Sequence, residues 1–238
     1  DHHVDKPRRE KIATFCNVDP GSIISAPDVD TIYDVPLNFE RDNLGDKILE
    51  KFGLKTSKKD LNDWRNMVDK MKKATKEVHI GVVGKYFGTG DFTLADSYIS
   101  VIESIKHGAR VAGVKPMLHW INTEEIEKKG TAILEKMDGV IVPQGWGTRG
   151  SEGKIKTIRY CRENKKPYFG LCYGMQMAVI EFARNVCKMQ NANSEEVNPR
   201  TPYPVIHIMP NQKEYLEKKQ YGGTIRLGAW PCKLKPNT

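Results

Sequence analysis

No run of apolar residues in this 238-residue chain approaches the roughly 20 needed to cross a bilayer, which argues against a membrane-spanning protein. Cysteine is scarce and unpaired. Cys16, Cys161, Cys172, Cys187 and Cys232 are odd in number and contain no C-x-x-C, which speaks against a disulfide framework and against a thiolate zinc site. A reducing compartment fits that usage, and a cytoplasmic location is expected. The six histidines are scattered apart from His2-His3, with no H-x-x-x-H spacing, so no metal site is expected. The first stretch, DHHVDKPRREKIATFC, has neither a starting Met nor a signal-like apolar core, and reads as part of a longer cytosolic chain. The sequence shows no internal repeat and no low-complexity tract.

What is present has the balance of a soluble globular protein, 39% hydrophobic and 29% charged. The length suits one large domain, or one domain with part of another. The net charge of +8 raises nucleic-acid binding. The lysines, however, come as scattered pairs (Lys58-Lys59, Lys72-Lys73, Lys165-Lys166, Lys218-Lys219) with no aromatic-interleaved basic motif. They read as solvated surface, and the charge suits small phosphorylated ligands equally well.

Three regions differ in pattern. Residues 1–54 carry short apolar runs among prolines and aspartates. Residues 55–76 read as a linker helix. Ser57 and Asp60 give it a capping-box-like start, and Leu61, Trp64, Val68 and Met71 form one apolar stripe. From residue 77 to 238 strand and helix signals alternate. VHIGVVG, KPMLHWI, DGVIVPQG and KPYFGLCYG read as strands. Between them lie a helix over 94–109 with Tyr98, Val101, Ile102 and Ile105 on one face, a helix capped by Thr123, and SEGKIKTIRYCRENKK; MQMAVIEFARNV follows the last strand. The alternation predicts an α/β fold with a parallel sheet and helices on both faces. Sites in such sheets lie at the carboxyl ends of the strands, where PQGWG and GLCYG fall.

Gly170-Leu171-Cys172-Tyr173-Gly174 has the layout of a nucleophile elbow, G-x-nucleophile-x-G. The glycines let strand and helix approach around a strained residue, and a thiol there meets a helix N-terminus. The N–H of Tyr173 is then placed to donate to an oxyanion. By pattern alone, a buried cysteine in a glycine-containing turn remains the other reading. The remaining four cysteines lack this setting and read as inert fillers.

GLCYGMQMAVIEFARNV closely resembles the nucleophile segment of class I glutamine amidotransferase domains, and AVIEFARNV resembles the CTP synthase family within that class. VGKYFGTGDFTLADSYISVIESIKHG, VIVPQGWGTRGSEGKI, NANSEEVNP and GGTIRLG resemble further segments of that family, in its order. REKIATFCNV and DVDTIYDVP resemble the end of its synthetase domain, so the similarity runs from about residue 8 to about residue 230. The resemblance implies a class I amidotransferase-like parallel or mixed sheet, preceded by a remnant of a Rossmann-like amidoligase domain. It also implies the formation of CTP from UTP. ATP and Mg2+ would activate the uracil oxygen, and glutamine hydrolysis would supply ammonia. GTP would activate and CTP would inhibit as feedback. The parent would be a homotetramer able to build filaments, with no nucleic-acid or membrane partner.

By position, the resemblance makes Cys172 the residue that attacks L-glutamine to give a γ-glutamyl thioester. It gives the oxyanion hole to the N–H groups of Tyr173 and Gly145, and glutamine binding to Gln176 and Glu196. Arg149 and Arg226 match arginines linked to GTP activation; a surface salt bridge is the plainer reading of Arg226. Lys11 matches a pyrimidine-nucleotide contact, while Asp28 and Val29 match a contact to the adenine of ATP. No metal ligands are implied within the chain.

The sequence departs from the family pattern in three places. Gln144 stands where the family has Gly, and a side chain there could hinder a peptide flip. The stretch FGTGDF lengthens the opening loop. The sequence ends before the family's H-P-E segment, and His207 lacks a Glu two residues on and reads as a strand histidine. The expectation is therefore that this stretch alone binds but does not turn over glutamine. Two other readings stand beside the enzyme. One is the amidotransferase domain of another biosynthetic enzyme; the other is a non-catalytic relative acting in oligomerisation or regulation.

Overall fold

The computed structural model describes residues 2–56, 58–86, 88–89, 92–93, 95–218, 231 and 233–236. In chain order the helices are α1 (Lys6–Cys16), α2 (Val35–Arg41), α3 (Leu44–Lys51), α4 (Asn62–Lys73), α5 (Ile99–Ala112), α6 (Thr123–Lys129), α7 (Ser151–Glu163), α8 (Tyr173–Asn185) and α9 (Pro210–Glu217). The strands are β1 (Glu77–Gly84), β2 (Gly88–Thr89), β3 (Phe92–Thr93), β4 (Lys115–Asn122), β5 (Gly139–Val142), β6 (Tyr168–Gly170), β7 (Asn193–Ser194) and β8 (Pro204–Ile206). They fall into two compact units, Asp1–Glu77 with Lys106–Lys115, and Val78–Ile105 with Pro116–Thr238.

The first unit is helical and tied by polar bonds. Asp5 caps α1, accepting from the Arg8 N–H at 3.0 Å, and Asn17 ends it in the left-handed region. Arg9 reaches from α1 to Asp42 at 2.7 Å, and the same carboxylate accepts from the Ser25 N–H at 2.7 Å. The stripe expected on the linker segment is observed on α4, where Val68 is buried and Leu61, Trp64 and Met71 are half-buried. The helix begins at Asn62, whose N–H bonds the Asp60 carboxylate at 2.9 Å; Ser57 lies outside the described residues. Trp64 Nε1 donates to the Tyr33 carbonyl at 2.8 Å, and Lys72 pairs with Asp34 at 2.7 Å, so α4 is fastened to residues 33–34.

The second unit is built on a four-stranded sheet in the order β4-β1-β5-β6. β1 pairs with β5 and β5 with β6, both parallel, with Val142 opposite Gly170 at the end of the last pair. Successive side chains of β5 point to opposite faces. Val140 and Val142 pack with Ile126 of α6 and Cys161 of α7, whereas Ile141 packs with Tyr98 and Val101 before and on α5. Helices therefore cover both faces, as the alternation predicts. The expected helix over 94–109 begins later, α5 following a 3-10 turn over Ala95–Tyr98. Thr123 does not cap α6. Asn122 does, its side chain accepting from the Glu124 N–H at 2.9 Å. Thr123 is the first helical residue, buried, and its hydroxyl has no hydrogen-bond partner among the described residues. It lies under Gly150 and Gly153, where any Cβ would collide with Thr123 atoms. Among the described residues no helix is long and apolar enough to cross a membrane.

Candidate active site

The chain runs from β1 to β4 on one side, then crosses to β5 on the other side of β1. Such a reversal opens a crevice at the carboxyl ends of the two central strands. Lys85 follows β1, the loop Pro143–Gly150 follows β5, and Cys172 follows β6.

Cys172 is exposed, immediately before α8, with φ 52° and ψ −107°. A residue bearing a Cβ is strained at this φ, and such strain costs about 1–3 kcal/mol where the surroundings enforce it. Here they do. A Cβ on Gly174 would collide with the Val142 carbonyl oxygen, and one on Gly170 would stand 2.6 Å from Tyr168 Oη and 2.7 Å from the Gly174 backbone. Strand and helix thus meet with no room for side chains on either flank. Bonds close the turn: Leu171 N–H to the Val142 carbonyl (2.9 Å), Gly174 N–H to the Leu171 carbonyl (2.9 Å) and Tyr168 Oη to the Gly174 carbonyl (2.8 Å). The bracketing glycines therefore serve an exposed elbow, and the buried-turn reading of Cys172 is set aside. Cys172 stands immediately before the N-terminal end of α8, where a helix favours negative charge by about 0.3–1 kcal/mol.

The loop after β5 is strapped from several elements. Tyr173 Oη donates to the Gly147 carbonyl at 2.6 Å, and the Glu196 carboxylate accepts from the Gly147 N–H at 2.6 Å. Trp146 N–H donates to Tyr86 Oη at 3.2 Å, and Tyr98 Oη donates to the Gln144 carbonyl at 3.4 Å. Lys85 Nζ donates to the Arg149 carbonyl at 2.9 Å and to that of Trp146. Gly145 is buried, and a Cβ on it would lie 3.7 Å from the Tyr173 ring. Neither the Gly145 nor the Tyr173 N–H donates to any described residue.

Of the residues expected at the site, the structure brings Cys172, Tyr173, Gly145, Glu196 and Arg149 to this edge; Gln176 lies one turn along α8, half-buried, its N–H on the Cys172 carbonyl at 3.1 Å. Arg149 spans Glu124 (3.1 Å) and the Lys85 carbonyl (3.2 Å). Arg226 lies outside the described residues. Asp28 and Val29 line a cleft of about 500 Å³ in the first unit, together with His2, Asp34, Arg41 and Lys72. Lys11 is exposed on α1 and does not line it. His207 is not a strand residue: it follows β8, exposed, with Nδ1 3.3 Å from Glu195. No group of three His, Cys, Asp or Glu among the described residues could hold a metal ion. Cys161 is buried, which pushes its thiol up to about 11.

Sequence reasoning missed Lys85 and Lys154. Both are buried beneath the loop, and both ammonium groups sit over the Tyr173 ring, at 5.6 and 4.9 Å. Burial, aided by the other's charge, pulls Lys154 down to about 8; burial and Arg149 lower Lys85. The signal for Lys154 was its spacing: it falls in register with Ile158 and Cys161 on the buried stripe of α7.

An exposed, strained cysteine between a strand and a helix, beside a loop with an unengaged backbone N–H, defines a class. Residues 93–221 match the family model described as glutamine amidotransferase class-I, and with more than half its length inside that match the chain belongs to this family. Residues 1–54 match the model described as CTP synthase N-terminus. Similar proteins carry the name CTP synthase. The chain is 46% identical over 99% of its length to the CTP synthase of Thermococcus gammatolerans, and 47% identical over 99% to that of Pyrococcus abyssi. It spans only 43% and 42% of those two proteins. A solved structure, the Trypanosoma brucei CTPS glutaminase domain with bound acivicin, is 38% identical with a TM-score of 0.51, over 56% of this chain and 50% of that one.

Proposed function

We propose that this chain is the glutaminase part of a CTP synthase, joined to the end of its amidoligase domain, with boundaries near residues 54 and 77. The observation that carries the reading is the strained, exposed Cys172 held at the start of α8 beside Gly145. Cys172 Sγ attacks the carboxamide carbon of glutamine, and the oxyanion receives the N–H groups of Gly145 and Tyr173. The C–N bond then breaks, the nitrogen leaves as ammonia with the thiol's proton, and a γ-glutamyl thioester remains. Water hydrolyses it to glutamate and restores the thiol. Gln176 and Glu196 hold the amino-acid end of glutamine, the carboxylate suiting its ammonium. A purely structural domain would have no use for a strained thiol, which disfavours the oligomerisation reading.

In the parent enzyme the ammonia meets UTP activated by ATP with Mg2+, giving CTP, which inhibits as feedback. Asp28, Val29 and Lys11 contribute nucleotide contacts, and Arg149 and Arg226 couple GTP to the glutaminase step. A cytoplasmic homotetramer, able to form filaments, completes the proposal. The first test is covalent. A glutamine-mimicking diazo-ketone should label Cys172 selectively when the adduct is mapped by mass spectrometry. A label found mainly on Cys161 or Cys187 would sink the assignment.

A further inference from the structure

Lys154 is fully buried on α7, a place where the helix pattern asks for an apolar residue. Its Nζ donates to the Pro143 carbonyl at 3.3 Å, rests 4.9 Å from the centre of the Tyr173 ring, and would touch a Cβ on Gly145 at 3.2 Å. Among the described residues no carboxylate pairs with it. A cation without an anionic partner is costly to bury, and proteins keep one where its charge is used. The two donors proposed for the oxyanion hole, Gly145 and Tyr173, are among the residues this ammonium packs against, with Pro143 as its hydrogen-bond acceptor. We infer that Lys154 is a positioning residue of the cysteine site, fixing the Pro143–Gly145 turn and setting a positive charge behind the oxyanion hole.

This deepens the glutaminase reading and rests on it. In the attack on a carbonyl, negative charge moves from sulfur to an oxygen held by Gly145 and Tyr173, residues that Lys154 lies against. In the alkylation of the same thiolate by iodoacetamide, sulfur displaces iodide and no oxyanion forms. The ratio of the two rates cancels the ionisation of the thiol and isolates what acts on the oxyanion. The groups that face Lys154 are Lys85 after β1 and Cys172 and Tyr173 of the elbow; Arg149, Glu124 and Glu196 act on Lys85. Burial and the Lys85 charge put the loss of the Lys154 proton at about pH 8.

The experiment uses this chain with γ-glutamyl 4-nitrophenyl ester, which acylates the thiolate and releases 4-nitrophenolate as a single burst, alongside iodoacetamide. In the native protein the ratio of acylation to alkylation should fall as pH rises through about 8. Lys154→Met should lower the ratio at pH 7 by about tenfold, less than the roughly 100- to 1000-fold that loss of a direct hole donor costs, since Lys154 acts from behind the donors. It should also flatten the pH dependence and leave the thermal midpoint level or raised, since a buried charge is replaced by an apolar side chain of similar length. An unchanged ratio, or equal loss in both reactions, overturns the inference while leaving Cys172 as nucleophile. The native pH profile decides the matter even if Lys154→Met misfolds: a ratio that stays flat through pH 8 overturns it. Should the burst survive in Cys172→Ala, both this inference and the glutaminase reading fall.

Discussion

Cys172 is held against its own backbone preference. Its φ of 52° suits glycine far better than cysteine, and Gly170 and Gly174 leave the backbone no alternative path. Cys172→Gly should therefore raise stability by about 1 kcal/mol in urea unfolding while abolishing capture of the electrophile. A loss of stability instead would show that the side chain packs, and that the turn is not strained. At this scale the sequence was legible where chemistry and geometry leave a joint mark. Glycines on either side of a thiol announce a close crossing. Lys154 left only a weak mark, because a lysine on an apolar helix stripe is ordinarily a side chain reaching past the core to water. Its burial depends on the loop that folds over it, which comes from another element.

At the scale of elements, two local features make separable predictions. The start of α6 buries Thr123 beneath Gly150 and Gly153, with its hydroxyl unpartnered among the described residues. Thr123→Val keeps the shape and removes the orphaned group, so it should be neutral or stabilise by up to about 1 kcal/mol in thermal unfolding. A loss above that would reveal a partner for the hydroxyl. In the first unit, burial raises the Asp42 carboxyl, but the Ser25 N–H and Arg9 outweigh it and hold the group below the usual carboxylate value. A depressed carboxylate contributes stability that is fully present above its unfolded value of 3.8 and is lost as pH falls through the lower folded value. Acid titration of the native chain should show that loss beginning below about pH 4, and Asp42→Asn should flatten it. An identical acid limb in the variant would remove Asp42 from the account. The cap of α6 was misread from sequence because Asn122 and Thr123 are both cap formers; the close approach of Gly150 and Gly153 to Thr123 comes from another element and left no mark beside it.

For the whole molecule, alternating strand and helix patterns sufficed to specify an α/β unit, since β1, β5 and β6 are apolar runs closed by glycine or proline and β4 runs directly into the cap of α6. Strand order was not legible: nothing in KPMLHWI says that β4 lies on the far side of β1 from β5. The bonds that strap Pro143–Gly150 were equally hidden, because Tyr86, Tyr98, Tyr173 and Glu196 come from four separate stretches of chain. The proposed division of labour has a direct check in the full-length parent. Cys172→Ala should abolish glutamine-dependent CTP formation and leave ammonia-dependent formation nearly intact. Loss of both in a folded variant would mean that Cys172 is structural.

The reversal of strand order between β1 and β5 has a consequence for what mutation can and cannot erase. The crevice exists because two stretches of chain leave neighbouring strands in opposite directions, and no side chain creates it. Substituting Cys172, Glu196 or Lys154 would change the groups displayed at that edge yet leave the strand arrangement that forms it. Only a change in how the strands are threaded could take the hollow away.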